Sequence, residues 1–208
     1  MYDNKHIAII GYSGHSLVVL DAANEAGIVI PYYCEREEKT FNPFNLKYLG
    51  DESSEYFDWD IADKFIIGIG DNQLRKKIAN FILSKNKQLY TVVHPLAHIS
   101  SMSKVGIGNF FAANSTLNTF AEVANNCILN TACVVEHECI ISNHVHIGPG
   151  AILAGHVTIG ESSFIGANSV VKQGVTIGEN VVVGAGSVVL QNIPNNEIWV
   201  GNPAKKIK

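Results

Sequence analysis

Charge is scarce in this sequence. Asp, Glu, Lys and Arg make up 16% of its 208 residues, against about 25% in an average globular domain. Acids outnumber bases by only 19 to 15, a formal net charge of −4. A disordered acidic chain needs high charge and low hydrophobicity, and 47% of this chain is hydrophobic. A nucleic-acid binder draws its affinity largely from clustered Lys and Arg, which the composition does not favour. Long apolar runs are also missing: none approaches the ~18 residues of a membrane-crossing helix. The start, MYDNKHIAIIG, holds too short an apolar stretch for a signal peptide. The chain therefore reads as cytoplasmic, with no nucleic-acid partner and no membrane span. Its length suits one or two domains. Glycine, at 18 residues, is plentiful. Low charge with many glycines implies that much surface is buried somewhere.

Cysteine is limited to four residues, three of them six apart: Cys127, Cys133 and Cys139. Zinc ligands come in pairs two to four residues apart, and disulfides are rare in the cytosol. The spacing instead belongs to a longer repeat. Stepping by six from Ile99 through Val105, Phe111, Leu117 and onward to Val189 meets sixteen residues, fifteen of them Ile, Leu or Val. Fixed self-similarity of six residues marks a parallel β-helix. Two residues before each aliphatic sits a small or β-branched residue, and the three cysteines fill that slot as small core residues. The residue after the aliphatic is often glycine (Gly106, Gly148, Gly160, Gly166, Gly178, Gly184), which suits a corner with positive φ. Three hexapeptides make one 18-residue triangular coil. The register gives about five uninterrupted coils between residues 99 and 189, each buried against the next.

Residues 1–94 read as a separate α/β domain, and 95–208 as the prism with its C-terminal tail. Ile7–Ile10, Phe65–Ile69 and Leu89–Val93 are predicted strands. Leu17–Ala26 and Gln73–Leu83 have helical spacing. Residues 36–60 read as loops with one short strand. The turn from Gly11 to Ser16 is either a phosphate or nucleotide site at a helix N-terminus or an ordinary strand-to-helix turn. A second glycine-ended strand, at Gly70, favours the site, because ligands sit outside the carboxyl ends of parallel strands.

Four of the eight histidines fall between residues 137 and 156. His144 and His156 read as solvated turn residues. His137, flanked by Glu136 and Glu138, is the candidate general base, since a carboxylate beside an imidazole fixes its tautomer and raises its basicity. Only one glutamate should reach the ring unless these residues lie at a corner.

Together these segments resemble the sugar-nucleotide N-acetyltransferases of bacterial glycan pathways, hexapeptide-repeat acyltransferases that include the UDP-4-amino-sugar, GDP-perosamine and sialic-acid-type enzymes. The carriers are Ile9-Ile10-Gly11-Tyr12-Ser13-Gly14-His15, Ile69-Gly70-Asp71-Asn72 with Arg75-Lys76-Lys77, Val93-His94-Pro95, Leu129-Asn130, Val134 to Cys139, and Val200 to Lys205. The resemblance implies a Rossmann-like domain followed by a left-handed β-helix, although parallel crossovers are normally right-handed. It implies acetyl transfer from acetyl-CoA to the amine of a nucleotide-linked amino sugar, in a homotrimer with sites between subunits and no metal. It places His137 as base with Glu138 in support. It puts Ser13, Gly14, His15, Gly70 and Gln73 at the nucleotide sugar, His146 near the thioester, and Gly155, Ala167 and Ala185 along the pantetheine arm. One departure stands out: where the family usually has an acidic pair at the nucleotide base, this chain has Glu35 and Arg36, which leaves the base open. The rival functions are a sugar O-acetyltransferase of the sialic-acid type and a non-catalytic trimeric nucleotide-binding scaffold.

Overall fold

The computed structural model describes residues 6–208. Five parallel strands open the fold: β1 (Ile7–Ile10), β2 (Tyr32–Cys34), β3 (Lys47–Tyr48), β4 (Lys64–Ile67) and β5 (Gln88–Leu89), in the order β3-β2-β1-β4-β5. Helices α1 (Gly14–Glu25) and α2 (Asn72–Ser84) cover opposite faces. The alternation of β1 explains this. Ile7 and Ile9 pack with Val19 and Leu20 of α1, whereas Ala8 and Ile10 pack with Ile78, Ala79 and Ile82 of α2. Both faces being covered, β1 reads as a continuous apolar run.

Two expectations for this region are corrected. Helix α1 begins at Gly14, three residues before the predicted start, because Ser13 is its N-cap and its backbone N–H donates to Ser16 Oγ at 2.6 Å. The predicted strand Leu89–Val93 is two strands. Leu89 pairs with Phe65 in the α/β sheet, whereas Val92–Val93 pair with Phe110–Phe111 in the prism. An apolar run alone does not say which sheet it joins.

The rest of the chain winds as a left-handed parallel β-helix with three faces of six, five and eight strands. Pairing advances by 18 residues, as in Leu117 with Val135 and Val135 with Leu153. From Phe111 to Val189 every residue of the six-step series is buried, together with Cys127, Cys133 and Cys139, which are free thiols. Burying each such aliphatic contributes about 1.5–3 kcal/mol. Trp199 closes the C-terminal end.

The corner glycines have a different cause from the one expected. Positive φ falls three residues after each aliphatic, on Gly108, Asn114, Phe120, Asn126, Ala132, Glu138, His144 and so on. Gly148 and Gly166 instead sit where the coils touch. A Cβ on Gly148 would lie 2.7 Å from the carbonyl oxygen of Ile165, and one on Gly166 2.6 Å from that of Val183.

Helix α1 lies on the eight-stranded face, where Val92, Phe110 and Ile128 join its apolar cluster. Helix α2 lies along the neighbouring corner, between the five- and eight-stranded faces. No helix among the described residues is long and apolar enough to cross a membrane.

Candidate active site

The sequence-predicted residues fall into two groups on one chain, with Ala167 and Ala185 apart from both. The first is the prism corner between the six- and five-stranded faces, which carries Glu136, His137 and Glu138. Glu138 has φ 60°, so the chain turns here and neighbours do not point apart. Its Oε2 lies 2.9 Å from His137 Nδ1. Glu136 is engaged elsewhere, accepting from Asn118 Nδ2 at 2.9 Å. One glutamate therefore serves the ring even though these residues lie at a corner. With Nδ1–H donating to Glu138, the lone pair of His137 resides on Nε2. Gly155, one coil on, lies under that side of the ring: a Cβ there would collide with Cε1 and Nε2.

His156 belongs to this group and was not expected in it. Its Nε2 lies 3.0 Å from the same Glu138 oxygen. It is 51% exposed, but it is an engaged side chain rather than a free turn residue. The signal was present in the sequence, since 138 and 156 differ by one 18-residue coil.

The second group lies between the α/β domain and the eight-stranded face. The order of the sheet reverses between β1 and β4, so the turns after these strands flank a crevice. Ser13 and Gly14 are exposed at the N-terminus of α1. Glu35, at the end of β2, accepts from the backbone N–H groups of Tyr12 and Arg36, both at 3.1 Å, while the Arg36 residue is exposed. His15 faces the prism, its ring 6.2 Å from that of His146. His146 Nε2 meets Asn130 Nδ2 at 3.0 Å and its Nδ1 meets the carbonyl of Gly70 at 3.3 Å. Both ring nitrogens are thereby used, in the neutral tautomer with hydrogen on Nδ1. Burial pushes His146 down to about 3 and His15 down to about 4, and the cation of Arg75 adds to both. Gln73 reaches across to Asn180, donating to Oδ1 at 3.0 Å.

Arg75 organises this junction, and sequence reading gave it no role. It is 1% exposed. Its guanidinium donates to the carbonyls of Asn126, Gly70 and His144 and to Asn72 Oδ1, at 2.8–3.1 Å. Burial lowers it only to about 10, so it stays a cation. His144, expected in solvent, is buried at 9% under this arginine. Its Nδ1 lies 2.9 Å from Asn126 Nδ2, and burial lowers its pKa.

The positions expected along the pantetheine arm are divided. Gly155 is at the His137 corner, but Ala167 and Ala185 stack at the corner between the eight- and six-stranded faces. His146 is on a different face from His137. A single chain does not bring these residues together.

A strand-fed helix N-terminus docked on a hexapeptide prism, with an exposed His–Glu pair at one corner, defines an acyltransferase of the hexapeptide class. Residues 6–82 match the PglD N-terminal domain model, and 156–191 match the hexapeptide repeat of succinyl-transferase. A mutant of perosamine N-acetyltransferase from Caulobacter crescentus, in complex with CoA and GDP-perosamine, is 30% identical. The match covers 98% of this chain and 97% of that one, with a TM-score of 0.91. The acetyltransferase domain of PglB from Neisseria gonorrhoeae is also 30% identical, over 98% of this chain and all of that one, with a TM-score of 0.89. The same domain in complex with acetyl coenzyme A superposes with a TM-score of 0.86 at 30% identity, again over 98% and 100%. No curated protein matches the chain. The chain belongs to the hexapeptide-repeat sugar N-acetyltransferases, and it is an acetyltransferase.

Proposed function

We propose that the protein transfers the acetyl group of acetyl-CoA to the amine of a nucleotide-linked amino sugar, with His137 as general base. The observation that carries this reading is the His137–Glu138 pair, whose geometry leaves Nε2 unprotonated above the glycine at 155. The amine attacks the thioester carbonyl as His137 Nε2 takes its proton. Glu138 steadies the imidazolium that forms, and collapse of the tetrahedral intermediate expels the CoA thiolate. Proton transfer of this kind is worth typically ~10²–10⁴-fold.

Residues 1–94 hold the nucleotide, through Ser13, Gly14 and His15 at the helix N-terminus and Gly70 at the strand end. Glu35 steadies the loop through the Tyr12 N–H, and Arg36 is free to meet the base or phosphate. Residues 95–208 hold acetyl-CoA along Gly155, Ala167 and Ala185. The division of these residues between corners supports a homotrimer. Packed side by side, prisms bring the His137 corner of one chain to the His146 and Gly70 face of the next. The buried free thiols suit the cytoplasm, the compartment we assign.

Two measurements test this reading. His137→Ala should lose at least a hundredfold in turnover with an unchanged melting temperature; near-normal turnover rejects the base. Thiol release with GDP-, UDP- and dTDP-linked amino sugars, followed by product analysis, should show an N-acetyl product. Acetylation confined to sugar hydroxyls would favour the O-acetyltransferase, and no acceptor at all the scaffold.

A further inference from the structure

The His137 corner carries more metal-ligating groups than acetyl transfer uses. Glu138 and His156 occupy equivalent positions on successive coils, both in the left-handed region with φ 60° and 58°. Coil stacking sets such positions about 4.8 Å apart. The equivalent places on the coils before and after hold Phe120 and Gly174, which offer no ligand. Glu138 Oε2 is flanked by His137 Nδ1 at 2.9 Å and His156 Nε2 at 3.0 Å, and one ligand atom from each of the three residues fits within 4.8 Å of the other two. The two rings meet edge-on at 88°. The backbone N–H of His156 donates to the carbonyl of His137 at 3.0 Å, which ties the two residues together. All three side chains are about half exposed in the single chain, and in the proposed trimer an ion enters by the cleft that admits the substrates.

Two imidazoles and one carboxylate are a zinc ligand set with an open fourth position. Ligand bonds of 2.0–2.2 Å put tetrahedral donors about 3.3 Å apart, a few tenths of an ångström wider than the two distances from Glu138 to the imidazoles. Magnesium and calcium prefer all-oxygen shells. We propose that His137, Glu138 and His156 bind a zinc-class dication, and that the bound ion inhibits the enzyme. The inhibition, though not the binding, rests on His137 being the base. Zinc takes the lone pair of Nδ1, which forces the single ring proton onto Nε2. The ring stays neutral, but Nε2 no longer accepts a proton from the amine.

Competition with a chromophoric chelator, with no acetyl-CoA present, should show one zinc per chain. His156→Asn, which keeps a residue suited to positive φ, should weaken that zinc at least tenfold. Zinc should suppress formation of the acetylated product reversibly to EDTA, at a concentration at least tenfold higher in His156→Asn; equal magnesium should not. No stoichiometric uptake, or uptake equally tight in His156→Asn and Glu138→Gln, overturns the site. Stoichiometric uptake with undiminished acetyl transfer supports the metal site and rejects His137 as base.

Discussion

Gly155 has no side chain at the one place where a methyl group would meet the imidazole of His137 at Cε1 and Nε2. Its φ is not positive, so alanine is acceptable to the backbone. The added Cβ must then displace the ring, and a misplacement of about 1 Å in a reacting group costs ~10²-fold. Gly155→Ala should therefore lower kcat by about that factor while the melting temperature changes little. Unaltered kcat would show that the space beside Nε2 is not used. The His137–Glu138 pairing was legible in the sequence because its partners are chain neighbours at a corner. His156 was not, because its relation to Glu138 appears only when residues are aligned by coil. Read singly, it looks like any histidine in a turn.

The prism itself was legible because each hexapeptide repeats a local rule, aliphatic inward and small residue two before it; the left-handed corner three after it was not, because Asn, Ala, Glu and His there carry no common signal. The junction of α2 with the prism was not legible, because its bonds join residues 51 to 107 positions apart, such as Arg75 to Asn126 and Gln73 to Asn180. That junction should make the protein acid-sensitive. A histidine in the unfolded chain takes its proton near pH 6.5. In the fold, burial and the Arg75 cation hold His15 to about 4 and His146 to about 3. Between these values the unfolded chain binds more protons than the folded one, so acid favours unfolding. This stability is present above about pH 6.5 and is lost as pH falls toward 4, by at most about 1.4 kcal/mol per pH unit for each group. Chemical denaturation at pH 7 and pH 5 should show the loss, and His146→Asn should show a shallower slope. Equal stability at the two values would mean that the imidazoles are protonated within the fold.

For the whole molecule, scarce charge leads to an expectation about assembly. The outward positions of the six-stranded face are His98, Thr116, Val134, Ile152, Val170 and Val188, the last four apolar, with Ile152 40% and Val170 37% exposed. A contiguous apolar strip of this kind is an interaction surface rather than a solvated one. It lies between the corner with Gly155 and the corner with Ala167 and Ala185, so a chain packed along it unites residues that one chain keeps apart. Sedimentation of the native protein should give three times 22.6 kDa, or 67.8 kDa. Val170→Lys places its charge outside the core, so the chain still folds, yet the cation must be buried for three prisms to meet. This variant should sediment near 22.6 kDa and lose acetyl transfer, although none of its His137, Glu138 or Gly155 contacts has changed. A monomeric variant with full activity would place the complete active site on one chain, and the division of the pantetheine residues between two corners would then need another cause.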